Sequence, residues 1–307
     1  MSKIFVVFGA TGNQGGSVID SILSDPELSR DFRIRGVTRN PDSARATNLK
    51  GKGVEMVAAD LSNPTSLARA LEKAHTVFLV TNFWEYLDRD VETTQGKNVA
   101  NACSSTGVQH LICSTAVNVT EASQGRLTHV KHFDSKADIE QYVREKQLPA
   151  TFVHTGFYMS NAFTQSIIRK QPANTYVLAI PVGNEAVLPM FDAAADTGKF
   201  VKVAIKNRPA MLGRQIFACA GYYRPSQLAQ EFAEVMGKHT ELVRLTEEEY
   251  KAYVIPSSFG QEAYETYLLM VDPGYYVGKG LGESLELLDE KPTSWKEFVH
   301  KNKHKFA

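Results

Sequence analysis

Gly9, Gly12 and Gly15 stand at every third position of the stretch Gly-Ala-Thr-Gly-Asn-Gln-Gly-Gly that occupies residues 9–16. A β-prone run, Ile4–Phe8, leads directly into it, and an amphipathic run, Gly15–Ser24, leads out. In that setting each glycine has a physical task. Gly9 permits a tight turn, Gly12 lets backbone approach a pyrophosphate, and Gly15 lets the following helix pack close to the strand. The start of the helix then offers unpaired N–H groups to an anion. Asn13 and Gln14 are expected in the loop, with their amides reaching phosphate or ribose.

The same alternation continues through the first half. Strands are predicted at Ile34–Thr38, Glu55–Ala58, Thr76–Thr81, Leu111–Ser114 and Thr151–Thr155, and helices at Pro64–Glu72, Thr93–Ser105 and His132–Lys146. Six strands with helical crossovers make a doubly wound parallel sheet of Rossmann type. After Thr155 the order loosens, with Pro172, Pro181, Pro189, Pro209, Pro225 and Pro256 punctuating shorter elements. A strand at Gln215–Ala220, a helix at Pro225–Met236, a strand at Glu241–Leu245 and a capping box at Thr246–Glu249 predict a smaller α+β domain. We expect a dinucleotide-binding domain over residues 1–155 and a substrate or partner domain over 156–307, with some later segments threading back into the first.

Thirty-four basic and 34 acidic residues cancel, so nothing global attracts nucleic acid or an anionic membrane. The N-terminal apolar run is too short for a signal peptide and no stretch suits a membrane span, so a soluble cytoplasmic protein is expected, with the nucleus also open. Cys103, Cys113 and Cys219 lie among apolar neighbours without metal spacing and are expected as buried thiols.

The end of the second strand bears on cofactor choice. A carboxylate there accepts the adenosine ribose hydroxyls, whereas a guanidinium binds a 2′-phosphate. The sequence reads Gly36-Val-Thr-Arg-Asn-Pro41, with Arg39 at the tip, which favours NADP(H) over NAD(H). Asp42 weakens that preference if it faces the phosphate, and Arg45 is placed to offset it. Asp60, after the third strand, is either a ligand for the adenine amino group or a helix N-cap. Thr81 and Asn82 end the fourth strand, where backbone passes under the cofactor.

The three-residue glycine spacing is the form found in short-chain dehydrogenase/reductase proteins. With GATGNQGGSV at 9–18, VTRNP at 37–41, VTNFWE at 80–85, QGKNVA at 95–100, and GRL at 125–127 followed by HFDSKADIEQYVRE ending at Glu145, the chain resembles the NmrA-like family, atypical members of that superfamily. The likeness is closest to members of the redox-sensor type. It implies a Rossmann domain that binds NADP(H), a smaller C-terminal domain, and in several members a regulatory role in which NADPH level sets monomer or dimer state and partner choice. It also implies dinucleotide contacts at Gly9, Thr11, Gly12, Asn13, Gln14, Arg39, Asp60, Leu61, Thr81, Asn82, Lys136 and the segment Gly156-Phe157-Tyr158-Met159-Ser160-Asn161. Relatives carry a second basic residue four positions after Arg39, where this chain has Ser43.

Ordinary members of the superfamily carry Tyr-x-x-x-Lys, the lysine holding the nicotinamide ribose and the tyrosine delivering a proton. Here Lys136 takes the lysine position and His132 that of the tyrosine. Ribose binding survives the exchange. Proton delivery is impaired, because imidazole is shorter than a phenol, but a neutral ring still donates an N–H hydrogen bond. Ser114 and Tyr158 are candidate helpers, and His129, three residues before His132, has no third metal ligand at suitable spacing. Two functions follow. The first is an NADP(H)-responsive regulator whose cofactor occupancy orders the Phe83–Thr93 region or the Phe157–Asn161 loop and so controls a protein partner or oligomer state. The second is an NADPH-dependent reductase of a carbonyl, quinone or imine, using His132, Lys136 and Tyr158. Phe83, Trp84, Tyr86, Phe157, Tyr158 and Phe163 either line its pocket or pack between the domains.

Overall fold

Successive residues of the first strand are buried on opposite sides of a sheet, Phe5 and Val7 in one apolar cluster and Val6 and Phe8 in another, so both faces of that sheet must be covered. The computed structural model describes residues 2–254 and 259–306; Pro256 lies outside them. Its strands, in chain order, are β1 (Lys3–Val7), β2 (Phe32–Thr38), β3 (Glu55–Ala58), β4 (Ala74–Leu79), β5 (His110–Thr115), β6 (Ala150–Thr155), β7 (Phe157–Tyr158), β8 (Ile168–Gln171), β9 (Thr175–Ile180), β10 (Leu188–Phe191), β11 (Gln215–Ala218), β12 (Gly221–Tyr223) and β13 (Thr240–Arg244).

A seven-stranded sheet runs in the order β11-β6-β5-β4-β1-β2-β3, and every pairing within it is parallel. The direction of winding reverses between β1 and β4, which opens a crevice at their carboxyl ends. Its central strands are the six that the sequence predicts. The seventh, β11, comes from the second half and closes the sheet beside β6. The chain after β6 also forms two three-stranded sheets, β12-β10-β7 and β13-β9-β8.

Helix Ala193–Lys206, with Gly198 in its middle, is absent from the sequence reading. Its position explains the glycine. It packs on helix Asn13–Ser24 so closely that a Cβ at Gly198 would sit 2.2 Å from Ser21 Oγ, and Gly198 N donates to Ser17 Oγ at 3.0 Å. Helix Pro225–Met236 and the capping box of Thr246 and Glu249 form as predicted. A second capping box, Ser294 with Glu297, opens helix Trp295–Lys301. Burial pushes the Cys103 and Cys219 thiols up to about 12 and the Cys113 thiol well above its ordinary value, so all three are inert at neutral pH. No helix among the described residues is long and apolar enough to cross a membrane.

Candidate functional site

The crevice is a cleft of about 610 Å³, walled by the carboxyl ends of the central strands and, opposite, by Phe157, Tyr250, Thr266, Tyr267 and Tyr275 from the second half. Gly9 turns with φ +62°, and a Cβ there would meet Val80 at 2.8 Å. At Gly15 a Cβ would lie 2.2 Å from the Gly9 carbonyl oxygen, so helix and turn touch through backbone. The helix begins earlier than predicted: Asn13 and Gln14 form its first turn, not a loop. Gly12 precedes them without a side-chain cap, and no acidic residue occupies that turn. Its N–H groups and the positive end of its dipole therefore face the cleft uncompensated. Gln14 donates from Nε2 to the Tyr158 hydroxyl at 2.6 Å, while its buried Oε1 has no hydrogen-bond partner among the described residues. The uncapped helix start suits an anionic group such as a dinucleotide pyrophosphate, and the unpaired amide oxygen suits a hydrogen-bond donor such as a ribose hydroxyl.

At one end of the cleft the Arg39 guanidinium is held by the Glu85 carboxylate, which raises its basicity further. Glu85 ends the 3-10 turn Phe83–Glu85 that follows β4. The neighbours that clouded the sequence reading are occupied elsewhere. Asp42 pairs with Lys50 at 3.1 Å, Arg45 donates to the Thr11 carbonyl at 3.1 Å, and Ser43 caps helix Ala44–Gly51. Asp60 lines the cleft and accepts from Ser62 N at 2.7 Å in a local turn; the cap of the next helix is Asn63, not Asp60. Leu61 and Thr11 line the same wall.

The other end is enclosed. Glu92, 2% exposed, accepts from Thr81 Oγ1 at 2.5 Å, from Lys136 Nζ at 2.5 Å and from Ser135 Oγ, so the lysine is aimed by a buried carboxylate. Helix Lys131–Glu145, which carries His132 and Lys136, has no side-chain cap from its own sequence. Helix Gly260–Leu269 supplies the missing acceptors: Glu262 Oε1 accepts from His132 N at 2.9 Å, and Glu265 accepts from His129 N at 2.7 Å. Each carboxylate also takes the imidazole of the same residue, His132 Nδ1 to Glu262 at 2.5 Å and His129 Nδ1 to Glu265 at 2.5 Å. With Nδ1 engaged, Nε2 is the His132 nitrogen left for a ligand. Its ring packs 4.8 Å from Trp84 and 4.8 Å from Phe133, centroid to centroid.

Tyr158 lines the cleft, and removal from water raises its phenol above the ordinary value, against the hydrogen bonds to Thr155 and Gln14. Thr81, Asn82, Gly156, Phe157 and Asn161 also line it. Met159 does not: just past β7, its side chain is fully buried and its N–H donates to the Phe191 carbonyl. Ser114 is likewise buried in β5 away from the cleft wall. Of the aromatic group, Phe83, Trp84, Phe157 and Tyr158 reach the cleft, Tyr86 lies in solvent, and Phe163 stacks on Phe298 at 5.9 Å. The sequence reading missed Glu85, Glu92, Glu262 and the tyrosine wall. A charged residue in an amphipathic helix carries no signal of which distant element it meets.

The profile of the NmrA-like family matches residues 1–299. The chain belongs to the NmrA-like family. Among curated relatives, an NmrA-like family domain-containing protein of Dictyostelium discoideum is 27% identical, covering 99% of each chain. The NmrA-like family domain-containing oxidoreductase ptmS of Penicillium ochrochloron is 30% identical over 78% of this chain and 74% of its own. The crystal structure of NmrA, a negative transcriptional regulator, in complex with NADP is similar with a TM-score of 0.82 at 21% identity, covering 98% of this chain and 95% of the other. NmrA-like proteins thus include chains described as oxidoreductases and one described as a regulator, on one fold.

Proposed function

We propose that this protein binds NADP(H) along the cleft and reduces a carbonyl, quinone or imine at its enclosed end. The helix start at Asn13, the Gln14 amide, Arg39, Asp60 and Lys136 are the groups that hold the dinucleotide; NADP-bound NmrA and the oxidoreductase ptmS support the class. NADPH, when bound, supplies a hydride.

The observation that carries the reading is the His132–Glu262 pair on the cleft wall, one helical turn from Lys136. Glu262 holds Nδ1, so a proton taken up at Nε2 makes an imidazolium whose charge the carboxylate balances, the arrangement of an orienting acid behind a catalytic histidine. The ring then releases that proton to the substrate oxygen or nitrogen and takes another from solvent. Tyr158, kept neutral by burial, is a second proton donor in the cleft, through its hydroxyl. Phe157, Tyr250, Tyr267 and Tyr275 give the substrate an aromatic enclosure, Tyr267 meeting Phe157 at a tilt and Tyr250 edge-on.

NADPH consumption against a panel of quinones, carbonyls and imines tests this. His132→Ala is expected to lower kcat on the order of 10³-fold, within the range of general acids, while leaving NADPH affinity unchanged. An unaltered rate in that variant sinks the proposal. A second reading has its own observation: Trp84, Tyr86 and Leu87 are large apolar residues exposed around the turn that carries Glu85. A protein that binds NADPH, consumes none across the panel and changes oligomer size on binding it is a regulator instead.

A further inference from the structure

The open end of the cleft holds two opposed charges that come from different elements. Arg39 follows β2, Glu85 ends the turn after β4, both line the cleft, and the two are paired with each other. The other charges near this pair are already engaged: Asp42 with Lys50, Arg45 with the Thr11 carbonyl, Asp60 with Ser62 N.

A 2′-phosphate and the Glu85 carboxylate offer the same chemistry to a guanidinium, anionic oxygens that accept its N–H groups. They therefore compete for one donor fork. A ribose with a free 2′-hydroxyl offers the reverse, a donor that a carboxylate accepts. We infer that Glu85 is the acidic determinant of dinucleotide choice in this protein, supplied by the turn after β4 in place of the tip of β2. NADP(H) binds by taking Arg39 from Glu85, and NAD(H) binds with the pair intact and its ribose hydroxyls on Glu85. The inference rests on the dinucleotide reading of the cleft.

The exchange has a built-in reporter. Trp84, next to Glu85, is 48% exposed, whereas Trp295 is 1% exposed, and these are the two tryptophans of the chain. Release of Glu85 from Arg39 moves the turn that bears Trp84 and so its emission.

Calorimetric titration of the full chain with 2′,5′-ADP and with 5′-AMP isolates the adenosine half and involves no turnover. Glu85→Gln is expected to tighten 2′,5′-ADP roughly tenfold, the worth of one charge-assisted hydrogen bond no longer contested, and to weaken 5′-AMP several-fold. In the wild type, 2′,5′-ADP shifts tryptophan emission and 5′-AMP does not. Should Glu85→Gln fail to fold, Glu85→Asp is expected to move the ratio in the same direction by less. An unchanged ratio in the variant that folds, or both ligands weakening together, overturns the inference while the dinucleotide reading stands. Binding of neither ligand by the wild type overturns both.

Discussion

The two ends of the cleft use the same device, a nitrogen base on one element met by a carboxylate on another, in different surroundings. At the open end the Arg39 and Glu85 side chains are 59% and 29% exposed; at the enclosed end His132 and Glu262 are 16% and 11%, and Lys136 and Glu92 are 17% and 2%. Water and salt screen the first pair, so a ligand phosphate can replace one partner at little cost. Breaking one of the enclosed pairs leaves a charge without water or partner, and those pairs hold their geometry. One end is suited to exchange and the other to positioning. The difference follows from burial, not from residue type.

The largest test of that contrast lies at the far end of the helix that carries His132. Glu140, on helix Lys131–Glu145, is buried, which pushes its carboxyl up; His154, then Arg144 and Gln215, outweigh burial and hold it at about 2. Because this folded value lies below the ordinary one of 4.5, the stabilisation is complete above about pH 4.5 and is lost as pH falls towards 2. Glu140→Gln is expected to remove about 3 kcal/mol at neutral pH and flatten the acid limb of the stability curve, measured by denaturant titration at several pH values. A loss that is the same at pH 7 and pH 2.5 breaks the argument.

Next in size, Glu262→Ala should lower kcat on the order of 10²-fold with little change in the Kd for NADPH, since it removes the orienting partner of the proton donor. Glu262→Gln, which keeps a hydrogen bond to Nδ1 but not the charge, should fall between and shift the pH profile of kcat. A change in KM alone would mean that Glu262 only caps the helix. The smallest effect belongs to the exposed end. Arg39→Gln should weaken NADPH roughly tenfold relative to NADH, and that ratio should shrink in high salt, as an exposed pair requires. Fluorescence titration of both cofactors checks it, and a salt-independent ratio would place Arg39 in the enclosed class.

Much of the exposed end is legible in the chain because its parts are local. Gly9, Gly12 and Gly15 adjoin the strand they follow, and Arg39 sits at the tip of the next one. Local order also misleads where a neighbour does the work: Asp60 looks like a helix cap, and Asn63 is the cap. Met159 shares a motif with Tyr158 and Asn161, but it lies just past β7 with its side chain in the core. Gly198 stands mid-helix as the contact point of two helices, which no local pattern announces.

The sequence by itself determined the parallel sheet, the glycine turn that opens its first helix, and the pairing of His132 with Lys136 on one helical face, because periodicity and turn chemistry act over a few residues. Tertiary structure alone decided which carboxylate each basic side chain of the cleft meets. Glu262 lies 130 positions from His132, Glu92 is 44 from Lys136 and Glu85 is 46 from Arg39. Whether such a pair is a fixed support or an exchangeable one depends on how much water the fold leaves around it, and that is a property of the packed chain.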